Sequence, residues 1–205
     1  NINKNNRVGI MNIHSRSSAD SYGQNQSAVA FKRQFGRSFV QGLFLNRQAY
    51  DNTETVENDY GRNISAEGFY QSDNGRLTVF GGAHGSMKDG FKDKNRVYNA
   101  GLKFTNANWT FNTDLVMFQE NYFADLGFTA RVNNYDAERD TSIRAGFNSE
   151  SVYLEYKKRP RTGRVRRHQI DLKNETVMNT DWSFNESNTR LRYSMAFTNT
   201  AELET

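Results

Sequence analysis

Cysteine is absent from the 205-residue chain, and Pro160 is its only proline. Without thiols, neither a disulfide framework nor a thiolate metal site can form. One proline beside 15 glycines and abundant Asn fits many turns between long strands better than flexible linkers. Long apolar runs are also missing. Nothing approaches the ~18 residues of a membrane helix, and residues 1–7, NINKNNR, are no signal peptide. A strand-built membrane protein stays open, because barrel strands place apolar residues at every second position and average to low hydropathy. Neither sign of charge dominates, with 27 basic and 23 acidic residues. Counted with Gly in place of Tyr, apolar residues make up about 39% of the chain, below the roughly 45–50% usual in globular domains. A conventional core is therefore thin. Aromatics at 13% nevertheless separate the chain from disordered polymers.

What the chain does contain is alternation. In RLRYSMAF, residues 190–197, Leu191, Tyr193, Met195 and Phe197 point one way, and Arg190, Arg192, Ser194 and Ala196 the other. Period two is the signature of a strand with unlike faces. Similar segments are expected at 8–16, 27–35, 38–48, 62–71, 76–86, 96–106, 108–119, 141–148, 151–159, 165–178 and 188–198, with another near Trp182 and Phe184. The fold class is all-β, an antiparallel up-and-down meander of about 11–12 strands, and no ten-residue stretch is convincingly helical.

Tight turns are expected at FGRS (35–38), SDNG (72–75), TNAN (105–108), NSES (148–151) and NTD (179–181). Longer polar links occupy 17–26, 49–61, 87–95, 120–140 and 160–164. Short and long links thus alternate, so in a meander the short ones share one end. Such asymmetry is expected of an outer-membrane barrel, with short periplasmic turns and longer outer loops. Strand length agrees: ten residues at ~3.3 Å, tilted by ~40°, rise ~25 Å, the height of the lipid-facing band.

The sequence predicts a lipid-facing set comprising Tyr98, Leu102 and Phe104 on one strand, Trp109 and Phe111 on the next, and Leu191, Tyr193, Met195 and Phe197 near the end. Asn99, Lys103, Asn112, Asp114, Arg190 and Arg192 would face a wet lumen. The segment FVQGLFLNR resists this sorting. It places Phe39, Leu43 and Leu45 on one face and Val40 and Phe44 on the other, which requires either a bulge or cover on both faces.

Three stretches, VGIMNIHSR (8–16), AVAFKRQFGRSFVQGLFLNR (28–47) and NYFADLGFTAR (121–131), resemble the C-terminal barrel of a family of uncharacterised Bacteroidota outer-membrane proteins. The nearest element is Asp125, Leu126, Gly127, Phe128 and Arg131. In that family the barrel commonly follows a family-9-like carbohydrate-binding module. The resemblance implies a bacterial outer-membrane location, a barrel larger than this chain can make, and a link to glycan or nutrient handling.

Motifs for catalysis or metal binding are missing. His14, His84 and His168 are far apart and fit no HxH or HExxH spacing. No G-x-S-x-G elbow supports a hydrolase, although a Ser and His14 or His84 meeting inside a barrel would make an esterase. Acidic loops at 51–59 and 136–140 lack the ordered calcium pattern. No cofactor, metal site or enzymatic role is expected. The run KKRPRTGRVRRH (157–168) holds Lys157, Lys158, Arg159, Arg161, Arg164, Arg166 and Arg167, with no interleaved aromatics to suggest nucleic acid. As the tip of an outer hairpin, it would meet lipopolysaccharide phosphates, or else be a solvated tip that repels edge pairing. The expected function is transport, or a part in an outer-membrane assembly with other outer-membrane proteins. The alternative is a soluble, secreted, lectin-like β-sandwich with its apolar faces packed sheet on sheet.

Overall fold

A computed structural model describes residues 3–18, 21–124 and 132–205. The described residues form thirteen strands: β1 (Asn6–Ser15), β2 (Gly23–Phe35), β3 (Ser38–Asp51), β4 (Glu54–Gln71), β5 (Leu77–Lys88), β6 (Arg96–Thr105), β7 (Trp109–Phe118), β8 (Asn133–Asp136), β9 (Thr141–Arg144), β10 (Phe147–Lys158), β11 (Val165–Met178), β12 (Phe184–Phe197) and β13 (Glu202–Glu204). Eleven of them form one antiparallel sheet in the order β1-β2-β3-β4-β5-β6-β7-β10-β11-β12-β13, and β8 and β9 form a separate hairpin. Each strand of the sheet touches only its immediate neighbours. Among the described residues there is therefore no second layer, and the sheet is open, with β1 and the β12–β13 side as its margins. Among the described residues, no helix is long and apolar enough to cross a membrane.

The meander expected from the alternation is present, with two corrections to its links. Residues 148–151 are not a turn. Ser149, Glu150 and Ser151 pair with Val116, Leu115 and Asp114 on one side and with Val177, Thr176 and Glu175 on the other, inside one continuous strand. The expected strand 141–148 ends as β9 at Arg144, whose guanidinium donates to the carbonyls of Glu120 and Tyr122 and so turns the chain away from the sheet. The link expected at 49–61 is mostly strand. β3 and β4 run on to a two-residue connection in which Asn52 takes the left-handed conformation (φ 56) that Asn tolerates.

These corrections set which end of the sheet each link occupies. The tight-turn end holds 36–37, 72–76, 106–108, 159–164 and 198–201; the opposite end holds 16–22, 52–53, 89–95, 119–146 and 179–183. Gly36 at φ 57 supplies the positive φ that the shortest turn of the first end requires.

Buried apolar side chains are few. The principal cluster is Val97, Phe118 and Val132, packed with Val116, Tyr122 and Phe147. Phe118 stacks on Phe147 with centroids 5.4 Å apart and meets Tyr122 edge to face. The cluster forms where the long 119–146 link folds onto one face of the sheet. Asn63 donates to the Phe123 carbonyl at 2.7 Å, and the Ser86 hydroxyl accepts from the Phe123 N–H at 3.0 Å.

Candidate functional site: an oblique apolar belt and a polar face

Register sorts the side chains into two faces, because directly paired residues project to the same side. Leu191 pairs with Leu172, and Leu172 with Leu154, which pairs with Phe111, itself paired with Phe104. Tyr193 pairs with Ile170, Ile170 with Tyr156, and Tyr156 with Trp109. Met195 faces His168, Phe197 pairs with Val165, Leu102 lies opposite Val79, and Tyr98 opposite Met117. All nine residues expected on the lipid side therefore share one face. Val8, Ile10, Val29, Phe31, Phe44 and Ile64 extend this face to β1. Many of these side chains are exposed, Ile10 by 78% and Leu191 by 69%, with nothing packed over them.

From β3 to β12 of the sheet, charges on this face sit at the borders of the belt. Glu150 and Lys158 bracket Val152, Leu154 and Tyr156 on β10, and Arg62 and Arg96 mark its edges on β4 and β6, while on β2 Arg33 lies between Phe31 and Phe35. The belt also crosses the register rows obliquely. Counted from the tight-turn end, the first apolar residue on this face is Val40 on β3 and Trp109 on β7. Val40 shares a row with Gly68, Gly81, Ala100 and Leu115, and Leu115 lies six residues beyond Trp109. Six residues span ~20 Å and four strand spacings ~19 Å, so the belt and the rows meet at about 45°. From β7 to β12 the drift continues. The row of Trp109 reaches Tyr193, and Phe197 lies four residues beyond that: ~13 Å over three spacings, or ~14 Å.

The opposite face is polar over most of β5–β12, apart from Phe80 and the Val97–Phe118 cluster at the long-link end. Asp171, only 4% exposed, accepts from Arg192 Nε at 2.6 Å and from Gln169 Nε2 at 2.8 Å. The Tyr153 hydroxyl donates to Glu155 at 3.2 Å and to Asp171 at 3.4 Å; Lys157 lies 2.6 Å from Glu155, and Arg192 also reaches Glu204. Each buried carboxylate thus has a cationic partner, which is what burial of charge requires. A second group gathers on β3–β6. Gln41 donates to Glu67, and His84 Nε2 lies 3.1 Å from Asn99 Oδ1 and 4.0 Å from Glu67. Gly82 makes room for it, since a Cβ there would stand 2.8 Å from Asn99 Oδ1. Gly101, which the sequence did not single out, is the seat of the Phe80 ring.

On β3 the register is unbroken from Phe39 to Gln48, so the mixed pattern there is not a bulge. Phe39, Leu43 and Leu45 lie on the otherwise polar face, where Phe39 stacks on Phe69 with centroids 5.1 Å apart. Cover on both faces is not found either, since Val40 and Phe44 on one face and Leu43 on the other stay exposed.

The basic hairpin lies at the tight-turn end, not at the end with the long links. The Lys157 N–H donates to the Asn108 carbonyl, the Asn108 side chain to the Lys157 carbonyl, and Arg159 to the Ala107 carbonyl, tying the hairpin to the 106–108 turn. On its other flank the Thr198 N–H donates to the Arg164 carbonyl at 2.9 Å. Its expected position at the end with the long links is reversed because residues 148–151 continue a strand, which removes one link from the count.

Asp125, Leu126, Gly127, Phe128 and Arg131 lie outside the described residues. Among those described, no three His, Asp or Glu side chains converge as they would around a metal ion. His14, His84 and His168 stand on three separate strands. Ser65 is paired directly with His84, yet no Ser–His hydrogen bond is formed among the described residues; the ring nitrogen is taken by Asn99. Comparison with family models, curated proteins and solved structures finds no match, so the function is read from the chain's own geometry.

Proposed function

We propose that this chain forms wall of an outer-membrane β-barrel, its apolar face in hydrocarbon and its polar face lining a lumen, and that it serves transport or an outer-membrane assembly without catalysis of its own. The observation that carries this reading is the oblique belt. A sheet closed into a membrane barrel has strands tilted by about 35–45°, so a band level with the bilayer must cross the register rows at that angle. The belt here does so at about 45° across seven strand spacings, with one face free of charge between its borders. Along β10, the eight steps from Glu150 to Lys158 span ~26 Å, a rise of ~19 Å at this tilt, which suits a thin bilayer once the Lys158 methylenes are added.

The asymmetry of the links supports the same reading: short turns at one end, the long 119–146 link at the other. In the barrel, the β1 and β12 margins pair with each other or with further strands, since hydrocarbon leaves no backbone group unpaired. The resemblance to barrels of carbohydrate-linked Bacteroidota proteins directs the transport reading towards glycans and other nutrients. Lipopolysaccharide and neighbouring outer-membrane proteins are its partners. The test is fractionation of expressing cells. The protein is expected in detergent extracts of the outer membrane, with a mobility on unboiled gels that changes on heating. Recovery from the aqueous fraction as a stable monomer would return the β-sandwich module as the better reading.

A further inference from the structure

The membrane reading leaves open which leaflet the basic hairpin meets, and its position answers this. The five links at the tight-turn end contain Arg37, Arg76, Arg159, Arg161 and Arg164 against a single acid, Asp73. The five links at the opposite end hold nine acids and six bases. Just inside the basic end lie Lys158 and Arg166, both exposed. Among the described residues, no carboxylate is within ion-pair distance of Arg161, Arg164 or Arg166, whereas Lys157 and Arg167 face Glu155 and Glu202. Immediately beside the hairpin, at the border of the belt, Trp109 and Tyr156 pack with ring centroids 4.5 Å apart. Amphipathic rings at such a border take headgroup depth.

We infer that the tight-turn end is a docking surface for anionic phospholipid, in which Arg161, Arg164 and Arg166 clamp headgroup phosphates while Trp109 and Tyr156 sit at the level of the glycerol. Guanidinium forks match phosphate oxygens two at a time, which suits them better than lysine for this contact. Bonds on both flanks to the 106–108 and 198–201 turns hold the hairpin in place, so less order has to be imposed on binding. The basic hairpin's partner is then the phospholipid of the periplasmic leaflet, while lipopolysaccharide meets the opposite end of the wall, because short turns face the periplasm. The inference rests on the barrel reading.

Both can be tested in one preparation. The 205-residue chain carrying Trp182→Phe, so that Trp109 is the only tryptophan, is refolded into phosphatidylcholine vesicles with and without phosphatidylglycerol. Flotation and heat-dependent gel mobility report insertion. Quenching of Trp109 by brominated phosphatidylglycerol, relative to brominated phosphatidylcholine, reports which lipid gathers at the hairpin. Insertion is expected in both vesicle types, with phosphatidylglycerol enriched around Trp109. The further changes Arg161→Ser, Arg164→Ser and Arg166→Ser should leave insertion intact. They should lower the enrichment at least ~10-fold at low salt, since one basic residue near an anionic surface contributes about fivefold. Unchanged enrichment in the triple variant overturns the inference and leaves the barrel standing. The same holds if the triple variant instead loses a preference for lipopolysaccharide or for a phosphodiester oligonucleotide. Failure of the unsubstituted chain to insert at all removes both.

Discussion

An arginine scan along one register row separates a tilted membrane wall from any sheet that is not tilted in a bilayer. Val40, Ala100, Leu115 and Glu150 belong to a single row on the apolar face, so in an untilted sheet they would be equivalent. In the oblique belt they are not. Val40 lies at its lower border, Ala100 midway between Phe104 and Arg96, and Glu150 at its upper border, where nature already places a charge. An arginine at the midplane of a barrel costs ~2–4 kcal/mol, falling to ~0–1 near the interfaces. Ala100→Arg should therefore lower the folding constant by about 30- to 900-fold, and Val40→Arg by less than about fivefold. Leu154→Arg lies on a different row at the same depth as Ala100, and should match it. The measurement is reversible urea unfolding in vesicles, followed through the indole of Trp109. Equal losses for Ala100→Arg and Val40→Arg would refute the tilt. Losses below ~0.5 kcal/mol at all three sites would refute hydrocarbon contact, since ordinary surface substitutions fall in that range.

Other positions give independent checks. Asp171→Asn removes the negative charge that pairs with Arg192 at a buried site; with Arg192 about one-third exposed, the expected loss is ~1–3 kcal/mol, below that of a fully buried pair, read from the same urea midpoints. Gly101→Ala places a methyl group against the Phe80 ring and 2.7 Å from Asp114 Oδ1, so it should cost ~1–3 kcal/mol, most of which Phe80→Leu in the same chain recovers. The Ser183 hydroxyl and N–H, at 2.6 and 2.9 Å, hold the Asp181 carboxyl below the usual carboxylate range. A depressed folded-state value means that this contribution to stability is present above the unfolded pKa and disappears as pH falls through the folded one. Carbon-detected NMR titration should find Asp181 below ~3.9 and moving up towards it in Ser183→Ala.

Much of the architecture was readable in the residues, for a physical reason. Period two assigns a face without knowledge of partners, so Leu102, Phe104, Trp109 and Leu191 could be sorted before any pairing was known. Pairing itself is not encoded that way. Ser149, Glu150 and Ser151 have the composition of a turn, but they lie beyond the apolar belt, where a strand flanked on both sides needs no apolar residue to persist. The polar extension of β4 over 54–60 also lacks an apolar pattern to read, and it pairs with β3 alone. Misreading one such segment changes the parity of every later link, and this is why the basic hairpin was expected at the wrong end. Gly101 was invisible because its requirement comes from Phe80 on the neighbouring strand.

The two free margins have a consequence for handling this molecule in water. β1 and most of β12 offer a row of unpaired amides flanked by Ile10, Leu191 and Phe184, the last 69% exposed. Each margin is a template for a strand of another copy. Diluted from denaturant without lipid, the chain should lengthen into ribbons whose growth depends steeply on concentration, and amphiphile supplied at the moment of dilution should suppress them.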